Sequence, residues 1–170
     1  DAPGSDFAAE RLLAQYGLAG RMSDAEGDRR ALLRIAEAVK VSLASAQPVT
    51  QVGFGSGKVE QVASNRRILG PDGRVTATRY GICRNPKLIA EPEGVIDPLV
   101  RLVAFWNGGT PVAVLTYYAS NPHSYYGKGG VNWEFVGIAR ESREQALAGV
   151  PHIHFCGAGG NVGAGKYNDG

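Results

Sequence analysis

The sequence predicts an α/β fold, in which helices flank a mixed β-sheet with a C-terminal βαβ unit. Helical periodicity extends to Pro48, and from Val49 the apolar residues change towards strand-like alternation. Later, an apolar run at 112–120, a helical pattern at 132–148 and a second apolar run at 152–156 follow one another. The length of 170 residues suits one domain. We therefore interpret 1–170 as a single α/β domain.

Two helices are predicted before Pro48. The first runs from Ser5, its cap, to Tyr16, and Gly17 ends it. The second begins at Ser23–Glu26, which has the spacing of a capping box, and it ends at Pro48. Its apolar residues recur at helical spacing, namely Leu32, Ile35, Ala36, Val39 and Leu43.

The middle of the chain is predicted to hold a strand pair and one long loop. The segment 70–73 has the composition of a turn, and the strand after it places Val75 and Ala77 on one side, with Arg79 as a candidate third. Residues 81–98 carry three prolines and no sustained period, which predicts an ordered loop.

A tight hairpin is predicted next. Two apolar runs, 99–106 and 112–120, are joined by the turn sequence Asn107-Gly108-Gly109. Eight of the ten residues in 111–120 are apolar or aromatic, which favours a strand covered on both faces. Pro122 cannot continue a strand ladder, so the strand is expected to stop at Asn121.

The C-terminal elements predict where a ligand binds. A helix over 133–147, capped by Asn132, places Phe135, Ile138 and Ala139 on one face, and the strand 152–156 follows it. The strands before and after such a helix are parallel, so the loops that follow them lie at the same sheet edge. Because ligands bind at that edge in open α/β sheets, we expect 121–130 and 157–170 to face each other across one crevice.

Composition excludes some classes of partner. Eighteen Lys and Arg are scattered among sixteen Asp and Glu, which leaves no basic patch for nucleic acid. No apolar window is long enough for a transmembrane helix, and Asp1 does not begin a signal sequence, so the chain fits a mature or excised piece. Cys83 and Cys156 allow one disulfide or two free thiols.

The glycine-rich segment 160–166 matches the spacing of a phosphate-binding loop, G-x-x-x-x-G-K. Tyr167 stands where that motif needs a hydroxyl ligand for magnesium, and 168–170 reads as a turn where it needs a helix. Nucleotide binding through Gly160 to Lys166 is therefore a remote alternative. Backbone N–H groups of a glycine loop can still bind an oxyanion.

Other polar residues have both a functional and a structural interpretation. His123 is either a metal ligand or proton carrier in the crevice, or an ordinary loop histidine. His152 and His154 share one face of a strand, which suits zinc, but their apolar neighbours favour a buried core pair. Asn65-Arg66-Arg67 suits a carboxylate or phosphate, or a solvated strand edge.

Four segments carry a family resemblance. ASNRRI at 63–68, EGVIDP at 93–98, YYASNPHSYYG at 117–127 and FCGAGGNVGAGKYNDG at 155–170 resemble the neutral ceramidase-like family, in particular its bacterial relatives. The resemblance implies a mixed α/β catalytic domain in a secreted or periplasmic zinc hydrolase. In that family a metal-assisted serine nucleophile cleaves an N-acyl amide.

The chain matches the site motifs of the family only in part. The family's zinc histidine aligns with Asn121, and a histidine occurs two residues later as His123. The nucleophile motif aligns with 160–164, where Gly163 occupies the serine position. Asp1-Ala2-Pro3 resembles the residues that follow another zinc motif, so the chain resembles the middle portion of a larger domain.

The resemblance thus implies zinc-dependent hydrolysis of an amide, in which activated water attacks directly; the alternative is an inactive ceramidase-like binding or structural domain. The expected partners are a small or lipid-like substrate and the remaining segments of the chain's own domain. The implied metal ligands are His123 and Asn121. The implied catalytic residues are Asn161, which stabilises the oxyanion, and Lys166 and Tyr125, which orient the substrate. The implied substrate-binding residues are Arg66, Asn65, Gly160 and Gly163.

Overall fold

The computed structural model describes residues 6–127 and 130–170. The chain forms two compact units, Asp1–Gln47 and Pro48–Gly170. No helix in the described ranges is long and apolar enough to cross a membrane.

The first unit contains the two predicted helices. They are α1 (Phe7–Gln15) and α2 (Ala25–Ser42), and a short 3-10 turn, Leu43–Ser45, extends α2. The side chain of Asp6 caps α1 by accepting the N–H groups of Ala8 and Ala9. The predicted cap, Ser5, lies outside the described residues.

The cap of α2 differs from the prediction by one residue. The Asp24 carboxylate accepts the N–H of Gly27, whereas the hydroxyl of Ser23 donates to Glu10. Aspartate competes with serine for the capping position because its charged oxygen also interacts favourably with the helix dipole.

The second unit contains eight strands and two helices in its described part. They are β1 (Gln51–Lys58), β2 (Ser64–Asn65), β3 (Arg67–Leu69), β4 (Val75–Thr78), α3 (Pro86–Ala90), β5 (Leu99–Asn107), β6 (Thr110–Tyr118), α4 (Glu134–Ala146), β7 (His152–Cys156) and β8 (Val162–Gly163).

The main sheet confirms the predicted mixed α/β fold. Its strand order is β1-β5-β6-β7, with β1/β5 and β5/β6 antiparallel and β6/β7 parallel. The β5/β6 hairpin pairs Asn107 with Thr110, so Gly108-Gly109 forms its turn as predicted. The helix between the two parallel strands is α4, which completes the βαβ unit.

The start and one face of α4 are close to the prediction. The Asn132 side chain accepts the N–H of Glu134, the first helical residue. Phe135 and Ala139 face the sheet side, where they line a cavity. The placement of Ile138 on that face is wrong, because its side chain is half exposed.

The long loop predicted over 81–98 contains a helix, so that prediction is wrong in part. Asn85 caps α3 by accepting the N–H of Lys87, and Pro86 occupies the first turn. Proline is favoured there because the first N–H groups of a helix have no internal partner. The pair Asn85-Pro86 is itself a helix-start signal, but the three prolines of 81–98 were interpreted together as evidence for a loop.

Two small sheets hold the remaining strands. The β3/β4 pair is the predicted hairpin, and β2 pairs with β8 through Ser64 and Gly163. The buried cluster Ala63, Tyr118 and Val162 lies where β2, β6 and β8 converge. The C-terminal glycine-rich segment is therefore packed against 63–65 rather than extended into solvent.

One face of the main sheet is less covered than the sequence predicts. On β6 the side chain of Tyr117 is 38% exposed, and it stacks on Phe155 of β7, which is 45% exposed. The buried side chains of β6, Val114 and Tyr118, lie on the opposite face, towards α4. Within the described chain, β6 is therefore better covered on the α4 side.

Gly165 is a position where the packing tolerates no side chain. A Cβ atom at Gly165 would overlap the carbonyl oxygen of Tyr80 and lie 3.0 Å from Cγ of Arg79. We expect Gly165→Ala to lower the free energy of unfolding by about 1–3 kcal/mol, measured by chemical denaturation. Gly160→Ala is the matched control, because open space surrounds that position. Equal stability of the two variants would contradict this packing.

Candidate functional site

The loops after the two parallel strands contact each other, as the strand order predicts. The N–H of Asn121 donates to the carbonyl of Val162 at 2.9 Å, and Nδ2 of Asn168 donates to the carbonyl of Ser124 at 2.8 Å. A Cβ at Gly159 would lie 2.9 Å from the backbone of Ser120, which shows how closely the loops pack. We call residues 64–67, 119–127 and 157–168 the loop cluster.

Two predicted site residues, Asn65 and Asn161, are brought together. Nδ2 of Asn161 donates to Oδ1 of Asn65 at 2.5 Å, and Oδ1 of Asn161 accepts from Nη1 of Arg67 at 2.9 Å. The Asn161 side chain therefore already has a donor and an acceptor within the protein. Its role in stabilising an oxyanion stays a prediction.

Arg66 is the predicted site residue with an unsatisfied buried group. Its backbone N–H donates to the carbonyl of Asn161 at 2.8 Å, which fixes it in the loop cluster. Its Nε atom is buried and has no hydrogen-bond partner among the described residues. A buried donor without an acceptor is unfavourable in a folded protein and calls for an explanation.

Lys166 is engaged with a helix end. Its Nζ donates to the carbonyls of Ile89 at 2.6 Å and Glu91 at 2.5 Å, at the C-terminus of α3. Unpaired carbonyls at a helix end attract a cation. No helix follows Lys166 in the described chain, so the geometry lacks the helix N-terminus that a phosphate-binding loop needs. A role for Lys166 in orienting a substrate stays a prediction.

The two predicted glycines differ in accessibility. Gly160 is exposed with open space around it, whereas Gly163 is buried in the β2/β8 pair. Of these two positions, only the backbone around Gly160 is therefore open to a ligand without a local rearrangement.

The loop that carries His123 and Tyr125 is held by a residue that the sequence reasoning missed. The carboxylate of Glu134 accepts the N–H groups of Ser124 and Tyr125, both at 2.9 Å. Glu134 has φ of 57°, which is unusual for a side-chain-bearing residue. The ring of His123 lies 5.5 Å from that of Tyr126, and the side chain of Tyr125 is half exposed.

The described residues do not provide a zinc site. No three His, Cys, Asp or Glu side chains among them are grouped so that they could hold a metal ion. His123 and Asn121 alone do not complete a zinc site, and an amide oxygen is a poor zinc ligand. Zinc coordination stays a prediction of the resemblance.

His152 and His154 share a face of β7, as predicted, and both are hydrogen-bonded. Nδ1 of His152 lies 2.8 Å from the carbonyl of Val150, and Nδ1 of His154 lies 3.0 Å from Oγ1 of Thr116. Burial, followed by the nearby charge of Arg140, lowers the pKa of His154. These contacts favour the core-pair interpretation.

Cys83 and Cys156 are both free thiols.

Arg79 is a structural residue that contacts the loop cluster through Asn65. The alternation pattern suggested it only as a candidate inward-facing position. Its side chain is 2% exposed. Nη1 donates to the carbonyls of Leu88 and Glu91, and Nη2 to those of Asn65 and Pro92, at 2.8–3.1 Å. Burial lowers the pKa of Arg79. Its guanidinium therefore joins β2 to α3 and the segment that follows it.

Tyr167 and Glu93 form a second connection between the loop cluster and the segment after α3. The hydroxyl of Tyr167 donates to the Glu93 carboxylate. This hydrogen bond raises the pKa of Tyr167 to about 12. The carbonyl of Glu93 in turn accepts the N–H of Asn65 at 2.7 Å, so EGVIDP lies directly beside the loop cluster.

Comparison with known proteins supports a ceramidase-like fold. The neutral ceramidase from Pseudomonas aeruginosa is similar in structure with a TM-score of 0.61 and 18% identity, over 83% of this chain and 21% of that one. A ceramidase complexed with C2 is similar with a TM-score of 0.51 and 20% identity, over 69% of this chain and 17% of that one. No family model and no curated protein matches the chain.

At these identities the likeness concerns the fold. The chain spans about a fifth of the length of the two ceramidases. Zinc binding, secretion and a periplasmic location therefore stay predictions from the sequence resemblance.

The hydrogen bonds of Arg79 should make a large contribution to the stability of the fold. We expect Arg79→Met to lower the free energy of unfolding by about 3 kcal/mol or more, because several carbonyls lose their donor at about 1–3 kcal/mol each. Denaturant unfolding measures the change. Arg74→Met is the control, since that side chain is 88% exposed and its loss should cost less than about 0.5 kcal/mol. Similar losses in both variants would contradict the assigned role.

The second prediction concerns the pH dependence of Tyr167. Because its pKa in the folded protein, about 12, exceeds the ordinary value of 10, the hydrogen bond to Glu93 contributes stability below pH 10 and loses it as the pH rises towards 12. An NMR titration of the tyrosine ring carbons measures the pKa. In Glu93→Gln we expect it to fall towards 10, and an unchanged value would exclude Glu93 as the cause.

Proposed function

We propose that this chain is a ceramidase-like domain that binds a lipid-like N-acyl amide at the loop cluster. The observation that carries the proposal is the buried Nε of Arg66, which has no acceptor among the described residues. The amide carbonyl or a head-group hydroxyl of such a ligand would supply that acceptor. Recognition by one guanidinium N–H suits a neutral polar head group as well as a charged one.

The surroundings of Arg66 agree with binding. Arg66 is joined through its N–H to the backbone of Asn161, next to the exposed and open Gly160. A ligand held by Arg66 would thus lie beside a glycine backbone that a polar group can approach closely. Catalysis of amide cleavage by the whole protein is a separate matter, because the chain spans about a fifth of the ceramidases it resembles.

An NMR titration with N-octanoylethanolamine tests the proposal. We expect saturable shifts at the backbone of Arg66, Gly160 and Asn161. Arg66→Met should weaken binding about tenfold, the loss of a charge-assisted hydrogen bond. Arg74→Met, on the exposed 70–74 turn, should leave binding unchanged. Shifts that are absent, or that survive in Arg66→Met, would overturn the proposal.

Zinc-dependent amide hydrolysis is the second candidate. The observation that favours it is the position of His123, two residues after Asn121 at the sheet edge where the two loops meet. We assign no catalytic step to the metal, because the described residues lack a group of three ligands.

Elemental analysis of protein purified without chelator tests this second candidate. About one zinc per chain that is lost in His123→Ala and kept in His154→Gln would support it. Zinc lost only in His154→Gln would transfer the site to β7, and no zinc in the unmodified protein would reject zinc-dependent hydrolysis for this chain.

A further inference from the structure

The sheet face that carries α4 is only partly covered within Pro48–Gly170. Helix α4 packs on β7, and beside it a groove of about 610 Å³ extends over β6 and β5. This volume lies within the range of small-molecule sites in proteins, about 300–1,000 Å³. We call this space the α4 groove.

The floor and wall of the α4 groove are apolar. Along β5 the groove is lined by every second residue, and the wall is formed by apolar side chains of α4. Alternate residues of a strand share one face, so the β5 residues form a continuous apolar track. The lining of the track and wall includes Val100, Leu102, Ala104, Trp106, Phe135 and Ala139.

Glycines on β1 explain why the groove stays open on the far side. Gly53, Gly55 and Gly57 lie directly opposite Ala104, Leu102 and Val100 in the β1/β5 register. Paired residues in an antiparallel ladder project to the same face, so these β1 positions add no side chain beside the track. Glycine at alternate positions of a strand often marks the close approach of a ligand or another backbone.

A buried polar atom in the groove lacks a partner. Tyr118 is 5% exposed and lines the groove, and its hydroxyl has no hydrogen-bond partner among the described residues. The same holds for Nε2 of His154, which also lines the groove. Buried polar atoms in folded proteins are rarely unpaired, so these two indicate a polar group that the groove accommodates.

The charged side chains that line the groove indicate whether that polar group is an anion or a cation. The charged side chains of its described lining are Arg140 and Arg143, and it includes no carboxylate. Arg140 donates from Nε to the carbonyl of His152 at 2.6 Å, and its Nη2 lies 4.0 Å from Oε1 of Glu144. Its guanidinium is therefore fixed at the groove wall and already has a carboxylate partner, which makes Arg143 the arginine offered to a ligand. A guanidinium matches a carboxylate in both charge and geometry.

From the apolar track, the unpaired hydroxyl and the two arginines, we propose that the α4 groove binds a single-chain aliphatic carboxylate. The chain lies over the β5 track, and the carboxylate is bound by arginine from α4. The site is separate from the loop cluster, so the proposal does not depend on amide binding there.

Fluorescence of Trp106 provides a direct test. The chain has two tryptophans, and Trp133→Phe leaves Trp106, in the groove, as the sole tryptophan emitter. We titrate this protein with ω-bromododecanoate, whose bromine quenches a nearby indole. The expected result is saturable quenching, with affinity about tenfold higher than for ω-bromododecanol, which lacks the carboxylate.

Two variants separate a groove ligand from other causes of quenching. Ala139→Leu adds volume to the groove wall and should weaken binding at least about tenfold, whereas Ala146→Leu, the same change at an exposed position of α4, should not. A third variant, Arg143→Met, should remove the preference for the acid over the alcohol. Because Arg143 is exposed, the comparison of acid and alcohol in this variant does not require a protein with an altered groove wall to fold.

Three results would overturn the proposal. They are quenching that does not saturate, equal affinity of the Ala139→Leu and Ala146→Leu variants for the acid, and a dimer in analytical ultracentrifugation that Ala139→Leu dissociates. The last result would assign the groove to a second copy of the chain.

Discussion

The described loop cluster depends on the hydrogen bonds that the buried guanidinium of Arg79 donates. Four carbonyls from β2, from α3 and from the segment after α3 converge on it. Buried carbonyls need donors, and arginine can supply several in one plane. The short strands of this region can therefore be irregular without leaving these carbonyls unsatisfied.

Lys166 also donates hydrogen bonds to carbonyls at the end of α3 and just after it. It donates to the carbonyls of Ile89 and Glu91, so the carbonyl of Glu91 is shared by Arg79 and Lys166. The backbone of Lys166 also donates to Oγ of Ser64, which is buried next to β8. Two cations thus connect β2 and the C-terminal segment to the chain between α3 and β5, and Gly165 allows the close approach.

The sequence predicted the parts of the fold that follow from local patterns. The β5/β6 hairpin follows from two apolar runs around Gly108-Gly109, and the βαβ unit from the change of period between β6, α4 and β7. The meeting of the two loops followed from strand direction alone. These predictions hold because each rests on backbone geometry within one or two neighbouring elements.

Other features could not be predicted because they depend on contacts between distant residues. The pairing of β2 with β8 joins residues about a hundred positions apart, and this pairing buries Gly163 and brings Asn161 to Asn65. The carboxylate of Glu134 reaches back to the N–H groups of Ser124 and Tyr125 from a backbone with a positive φ. Neither arrangement has a spacing signature in the sequence.

The distribution of the cations decides what remains for a ligand in the loop cluster. Arg67, Arg79 and Lys166 donate to protein oxygens, and the buried Nε atoms of Arg66 and Arg79 have no acceptor among the described residues. A polypeptide carbonyl and a ligand carbonyl compete for the same donors, so cations that hold the backbone together are less available to a substrate. The binding proposed at this edge therefore relies on Arg66 and the open backbone at Gly160, while Arg67, Arg79 and Lys166 hold the backbone together.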